Sequence, residues 1–158
     1  MIAVFAIITL YIVLRTITFS HFGDMGMYNV YFENYVAGAP LQSKSDMGFE
    51  LFLYGCSKIM GNQMFFLTCA FLYIYPMYHV SKKFFEEYWF YSFFMLVTAF
   101  SFWGFATNGI RNGLATSILL MGLTQKNVYW RIGIMFVAVT FHRSLIIPFA
   151  AFIGTNFY

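Results

Sequence analysis

Five runs of apolar residues, the first parted from the second by residues 15–62 and the others by short breaks, constrain this chain more than any other feature: 1–14, 63–80, 88–105, 108–124 and 128–153. Crossing a bilayer takes about 20 apolar residues. An open-ended segment in lipid must be helical, because nothing outside it satisfies its backbone N–H and C=O groups. Composition agrees, with 61% hydrophobic and only 9% charged residues against roughly 25% charged in soluble domains. A chain of 158 residues has too little interior to hide so much apolar surface while presenting a polar exterior. The expected fold class is all-α, a polytopic transmembrane helical protein of about five spans with two short interfacial helices. The first run, 1–14, lacks a basic leader and a small-residue cleavage site, so it reads as a span missing its beginning rather than a signal peptide.

Charge then sets orientation. Lys82 and Lys83 lie between the second and third runs, and Lys126 and Arg131 flank the turn between the fourth and fifth. Basic residues in short loops stay cytoplasmic, which puts residues 15–62 outside. Net charge is only +3 and the basic residues are scattered, giving no stripe for nucleic acid. Cys56 and Cys69 sit in apolar stretches without metal-ligand spacing and read as buried thiols. No metal or other cofactor is indicated.

The external stretch 15–62 has its own organisation. Asp24 reads as an N-cap, followed by Tyr28, Phe32 and Tyr35 at helical spacing, as in a helix lying in the membrane interface. A linker with Gly38, Pro40 and Lys44 follows, and Ser45 or Asp46 is placed to cap a second short helix ending near Met60. Phe49, Phe52, Leu53, Cys56 and Met60 make its apolar stripe; Glu50, Tyr54 and Ser57 fall on another side.

An ionisable group within a span costs at least about 2.5–3.5 kcal/mol on insertion scales, and two places bear that cost. Asn108, Arg111 and Asn112 open the fourth run at i, i+3 and i+4 spacing. On one helix face they would converge where free N–H groups and the positive dipole end favour an anion, with the arginine fork suited to phosphate oxygens. The alternative is that Arg111 snorkels to headgroups while the asparagines cap the helix. His142 and Arg143 lie inside the fifth run. A lone histidine there is most simply a neutral partner for a neighbouring helix, but the adjacent arginine favours a polar cavity. Pro148 marks an expected kink. Arg15, Asp24 and Glu50 read individually as a boundary anchor, a cap and a solvated face; together with Arg111 and His142 they are candidates for one external site.

Four pieces in this order resemble the EpsG family of bacterial exopolysaccharide polymerases, among the broader Wzy-like polysaccharide polymerases. They are Arg15 with Gly23-Asp24, Tyr28 and Phe32; Gly48-Phe49-Glu50; Gly109-Ile110-Arg111-Asn112-Gly113-Leu114-Ala115; and Phe141-His142-Arg143-Ser144-Leu145-Ile146-Ile147-Pro148. Family members are longer, so residues 1–158 are expected to form one transmembrane domain that is part of a larger polymerase. The resemblance implies a multi-pass protein of the bacterial plasma membrane. It implies joining of undecaprenyl-pyrophosphate-linked oligosaccharide units into exopolysaccharide, capsule or O-antigen on the outer face, alongside other polysaccharide export proteins and without nucleic acid. Arg111 and Arg15, with Asn108 and Asn112, would hold pyrophosphate. His142, then Glu50 or Asp24, would take the proton from the acceptor hydroxyl. Two other function classes fit the same residues: a transporter or flippase for a lipid-linked sugar, and a noncatalytic membrane subunit of a polysaccharide assembly system.

Overall fold

The computed structural model describes residues 2–14, 23–41 and 46–157, and every regular element among them is helical. The order is α1 (Ile2–Leu14), α2 (Gly23–Val36), α3 (Met47–Ile59), α4 (Asn62–Phe85), α5 (Trp89–Thr98), α6 (Phe100–Thr107), α7 (Ile110–Leu123), α8 (Val128–Phe141) and α9 (Ile146–Phe157). Single 3₁₀ turns at Glu86–Tyr88 and Arg143–Leu145 join α4 to α5 and α8 to α9. The expected all-α class therefore holds. One helical stretch, Asn62–Thr98, is long and apolar enough to cross a membrane, while Ile110–Leu123, Val128–Phe141 and Arg143–Thr155 are apolar but shorter.

α4 is the central post. Ile12 of α1, Phe66, Cys69 and Tyr73 of α4, Phe105 of α6, and Ile110 and Leu114 of α7 share one cleft. Phe5 of α1 meets Tyr78 of α4, ring centroids 6.2 Å apart, so α1 runs antiparallel to α4. α7 runs parallel to it, since Ser117, fully buried, donates from Oγ to the Tyr73 carbonyl at 2.8 Å. That bond has a local cause. Pro76 lies inside α4 and disturbs the ladder one turn upstream, and a hydroxyl from the neighbouring helix serves a carbonyl there, as in membrane helices generally. α8 returns antiparallel along α7, with Gly122 admitting Met135 and the Arg131 backbone so closely that an added Cβ would lie 2.7 Å from Met135 Cγ. Arg131 Nε closes the turn by donating to the Gln125 carbonyl at 3.0 Å.

α2 and α3 sit across one end of these helices. Tyr28, Phe32 and Tyr35 are all buried, Phe32 against Phe65 at the start of α4 and Tyr28 on Phe49 of α3, centroids 4.9 Å apart. Lys58 donates to the Tyr35 carbonyl at 2.6 Å, satisfying the C-terminal end of α2 with a cation. Asn62 and Asn29 are hydrogen-bonded where α4 begins. Lys82, Lys83 and Lys126 follow from the far ends of α4 and α7, so the chain places them away from α2 and α3.

Three expectations about helix continuity are corrected. The run 88–105 is not one helix: Ala99, extended at φ −67°, ψ 135°, divides α5 from α6. In 108–124 the helix begins only at Ile110, leaving Asn108 and Gly109 in the preceding turn. In 128–153 the break falls at His142 (φ −153°, ψ 117°), not at Pro148. Pro148 occupies the first turn of α9, where an N–H has no intrahelical partner and proline disturbs nothing.

Candidate functional site

The two chain breaks and the two short helices meet at one end of the molecule, and Asp46 is their common point. It stands immediately before α3, where a capping side chain was expected, yet makes no cap hydrogen bond. Its carboxylate instead faces away from its own helix. Oδ2 pairs with Arg111 Nη1 at 2.8 Å and lies 3.6 Å from His142 Nδ1; Oδ1 accepts the backbone N–H of Arg143 at 3.1 Å. Asp46 is 5% exposed, whereas the Arg111 and His142 side chains are 35% and 25% exposed. The cluster is thus a sheltered anion under a partly open arginine and histidine. At 3.6 Å the histidine contact is too long for a hydrogen bond, and His142 Nδ1 is buried without another partner among the described residues.

Each helix contributes for a reason visible in its sequence. Arg111 is the second residue of α7, whose first turn packs through Ile110, Gly113 and Leu114 into the core, leaving Arg111 half-buried at the rim. His142 reaches the site because α8 stops there, and the Asp46–Arg143 bond satisfies an amide that the break would leave unpaired. α3 comes within reach because Gly48 has no side chain: a Cβ would lie 2.8 Å from Thr140 Cβ and 2.9 Å from the Thr140 backbone carbon.

The other candidate residues divide. Glu50 is buried, 7% exposed, and not on a solvated face: α3 packs on two sides, with Tyr54 against Tyr35 of α2 and Phe49 against Phe141 of α8. Burial pushes the Glu50 carboxyl above its usual range, with Arg111 pulling it partly back; the same two effects act in the same order on Asp24. Burial also raises the Tyr28 phenol, again opposed by Arg111. Arg111 is therefore the electrostatic neighbour shared by Asp24, Tyr28, Glu50 and Asp46. Asp24 lies within the first turn of α2, favourably placed for the helix dipole, and is not the cap. The cap comes from across the site, where Asn108 Oδ1 accepts the Asp24 backbone N–H at 3.2 Å. Asn108 accordingly lies outside the α7 face expected to unite it with Arg111, while Asn112, half-buried, follows Arg111 within α7. Arg15 lies outside the described residues.

Two participants went unrecognised in the sequence. Tyr28 read as an interfacial aromatic, and Asp46 as an ordinary cap. The place of Asp46 two residues before Gly48-Phe49-Glu50 was the only available signal.

A raised carboxyl makes a signed prediction. An acid whose folded-state pKa is raised opposes folding once ionised, so Glu50 detracts from stability increasingly as pH climbs through its raised value. Glu50→Gln should raise the melting temperature in detergent at neutral pH more than at about pH 4. An equal shift at both would show that the ionised carboxylate carries no such penalty.

The described residues form a helical protein with a sheltered carboxylate, an arginine and a histidine gathered at the helix ends and one apolar stretch long enough for a bilayer. The EpsG family model matches residues 1–157, and the chain belongs to that family, which ties it to exopolysaccharide-related membrane proteins. No curated protein and no solved structure matches it.

Proposed function

We propose that this chain polymerises undecaprenyl-pyrophosphate-linked oligosaccharide repeat units into exopolysaccharide, capsule or O-antigen, as a multi-pass protein at the outer face of the bacterial plasma membrane. The observation that carries this reading is Arg111 and His142 gathered on one oxygen of the Asp46 carboxylate: a fixed cation beside a proton acceptor. The reaction requires both. An acceptor hydroxyl attacks the anomeric carbon of the donor; a new C–O bond forms, the C–O bond to pyrophosphate breaks, and the hydroxyl proton leaves. His142 Nε2 takes that proton, and Arg111, aided by Arg15 and Asn112, holds the charge gathering on pyrophosphate. Glu50 and Asp24 are the next proton acceptors, their carboxyls already raised by burial.

Several features support the setting. Large apolar side chains face outward, among them Phe100, 92% exposed, and Ile147, 74% exposed, a surface unsuited to water. α7 and α8 have 14 residues each, about 21 Å against a hydrocarbon core of about 30 Å. A polar cluster at their ends would sit recessed beneath the bilayer surface, covered by α2 and α3. Lys82, Lys83 and Lys126 at the other ends agree with a cytoplasmic side there.

The test is the fate of the repeat units in the native host. Replacing His142 by glutamine in the chromosomal copy should lower polymer yield by about 100-fold or more and leave single repeat units on the outside of the cell. Single units trapped inside would instead identify a flippase. Loss of the protein from the membrane, with no inactive yet abundant variant at either His142 or Arg111, would identify a noncatalytic subunit.

A further inference from the structure

The geometry points to Asp46 as the positioning residue of the site, one carboxylate that holds the leaving-group cation and the proton acceptor in register; this rests on the polymerase reading above. Its two oxygens serve different tasks. Oδ1 accepts the Arg143 amide and so fixes the chain break that turns His142 out of α8. Oδ2 lies between Arg111 Nη1, at 2.8 Å, and His142 Nδ1, at 3.6 Å. An anion on the Nδ1 side favours a proton there, leaving Nε2 with the lone pair that accepts the hydroxyl proton. The 3.6 Å separation leaves that contact unmade at rest, and Nδ1 is buried without another hydrogen-bond partner among the described residues. When Nε2 receives the proton, the imidazolium becomes cationic and its attraction to Oδ2 rises. The pair then tightens as the reaction advances, an interaction stronger in the transition state than in the resting site.

Arg111 completes the device. Its guanidinium offers five N–H donors, and the contact with Asp46 employs Nη1, so the fork can be held by the carboxylate while other donors meet phosphate oxygens. Pyrophosphate drawn to Arg111 competes with Asp46 for the guanidinium and leaves more of the carboxylate's charge to His142. Leaving-group binding and proton acceptance are thereby linked through one carboxylate.

Asp46→Asn separates this role from a structural one, because the amide oxygen still accepts the Arg143 N–H while the charge is lost. The assay uses membrane vesicles of the native host carrying the full protein, with their own lipid-linked repeat units radiolabelled from sugar nucleotides, and reads polymer formed at about pH 5 to 8. Among the described residues, the charged and titratable groups around His142 and Arg111 are Asp24, Tyr28, Asp46, Glu50 and Arg143. Among these, Asp46→Asn removes the anion that faces His142 Nδ1 at 3.6 Å, and with it the Coulombic attraction for a cationic ring. The acid limb of the rate profile should therefore move to lower pH, with a fall in maximal rate of about 100-fold. Asp46→Glu, which restores the charge at a longer reach, should recover part of the rate and return the limb toward its original position.

An Asp46→Asn protein that is abundant and active with an unmoved limb would overturn the proposal, as would one that loses rate only in proportion to lost protein. If those results came with inactive but abundant His142→Gln and Arg111→Ala proteins, the polymerase reading would stand without it. Wild-type vesicles that export repeat units yet join none would overturn both.

Discussion

Arg111→Ala should abolish polymer formation and also weaken the fold, and the two effects are separable. Asp46 is buried, and Arg111 is its closest cation. Removing one partner of a buried pair leaves the other charge uncompensated, at about 3–5 kcal/mol; here the partly exposed arginine, reached by water, sets the expectation at the lower end. The chemical effect is larger. Loss of a donor aimed at developing negative charge costs on the order of 100- to 1,000-fold in rate. The separating variant is Arg111→Ala with Asp46→Asn, in which no unpaired carboxylate remains: thermal stability in detergent should recover, polymer should not. Arg111→Lys keeps the charge but not the planar fork, and an intermediate yield is expected. Normal polymer length and yield in an abundant Arg111→Ala protein would sink the pyrophosphate assignment.

Gly48→Ala is expected to be as damaging although it touches no charge. The added methyl would meet Thr140 Oγ1 and approach the Thr140 backbone carbon to 2.9 Å, so the strain cannot be relieved by turning a side chain. α3 must move away from α8, and overpacking of this kind costs about 1–3 kcal/mol, sometimes more. The functional loss should exceed the loss of stability, because the displaced segment begins two residues after Asp46 and carries Glu50. Gly55 is the control. It lies in the same helix with open space beside it, and Gly55→Ala should stabilise α3 by about 0.5–1 kcal/mol. Melting temperature and polymer yield measured on both variants decide the matter: equal effects would mean that the Gly48 contact does not set the position of α3.

The helices themselves were legible in the sequence. Apolar runs parted by polar residues gave the all-α class and, to within about five residues, where α1, α4 and α7 lie and where α8 begins, because hydrophobic patterning and backbone satisfaction are local properties. The spacing of Tyr28, Phe32 and Tyr35 foretold the helix α2 for the same reason, but not that these three rings are buried. Resemblance across four short pieces led to the EpsG family, which the match over residues 1–157 establishes. Singling out Arg111 and His142 needed only the cost of placing ionisable groups among apolar ones, whereas Glu50 and Asp24 entered through the shared external side and the family resemblance.

Tertiary structure alone decided how those residues relate. Nothing in a helical period breaks α8 at His142; the break is held by an Asp46 oxygen 97 positions away in sequence. Nor does sequence spacing send Asn108 to the end of α2 or bury Glu50 between two packed faces. Capping and periodicity act over a few residues, whereas a carboxylate chooses among all the donors that folding brings near it. Asp46 looked like a cap because caps are local, and turned to the cluster because Arg111 and the Arg143 amide offer it stronger partners than its own helix.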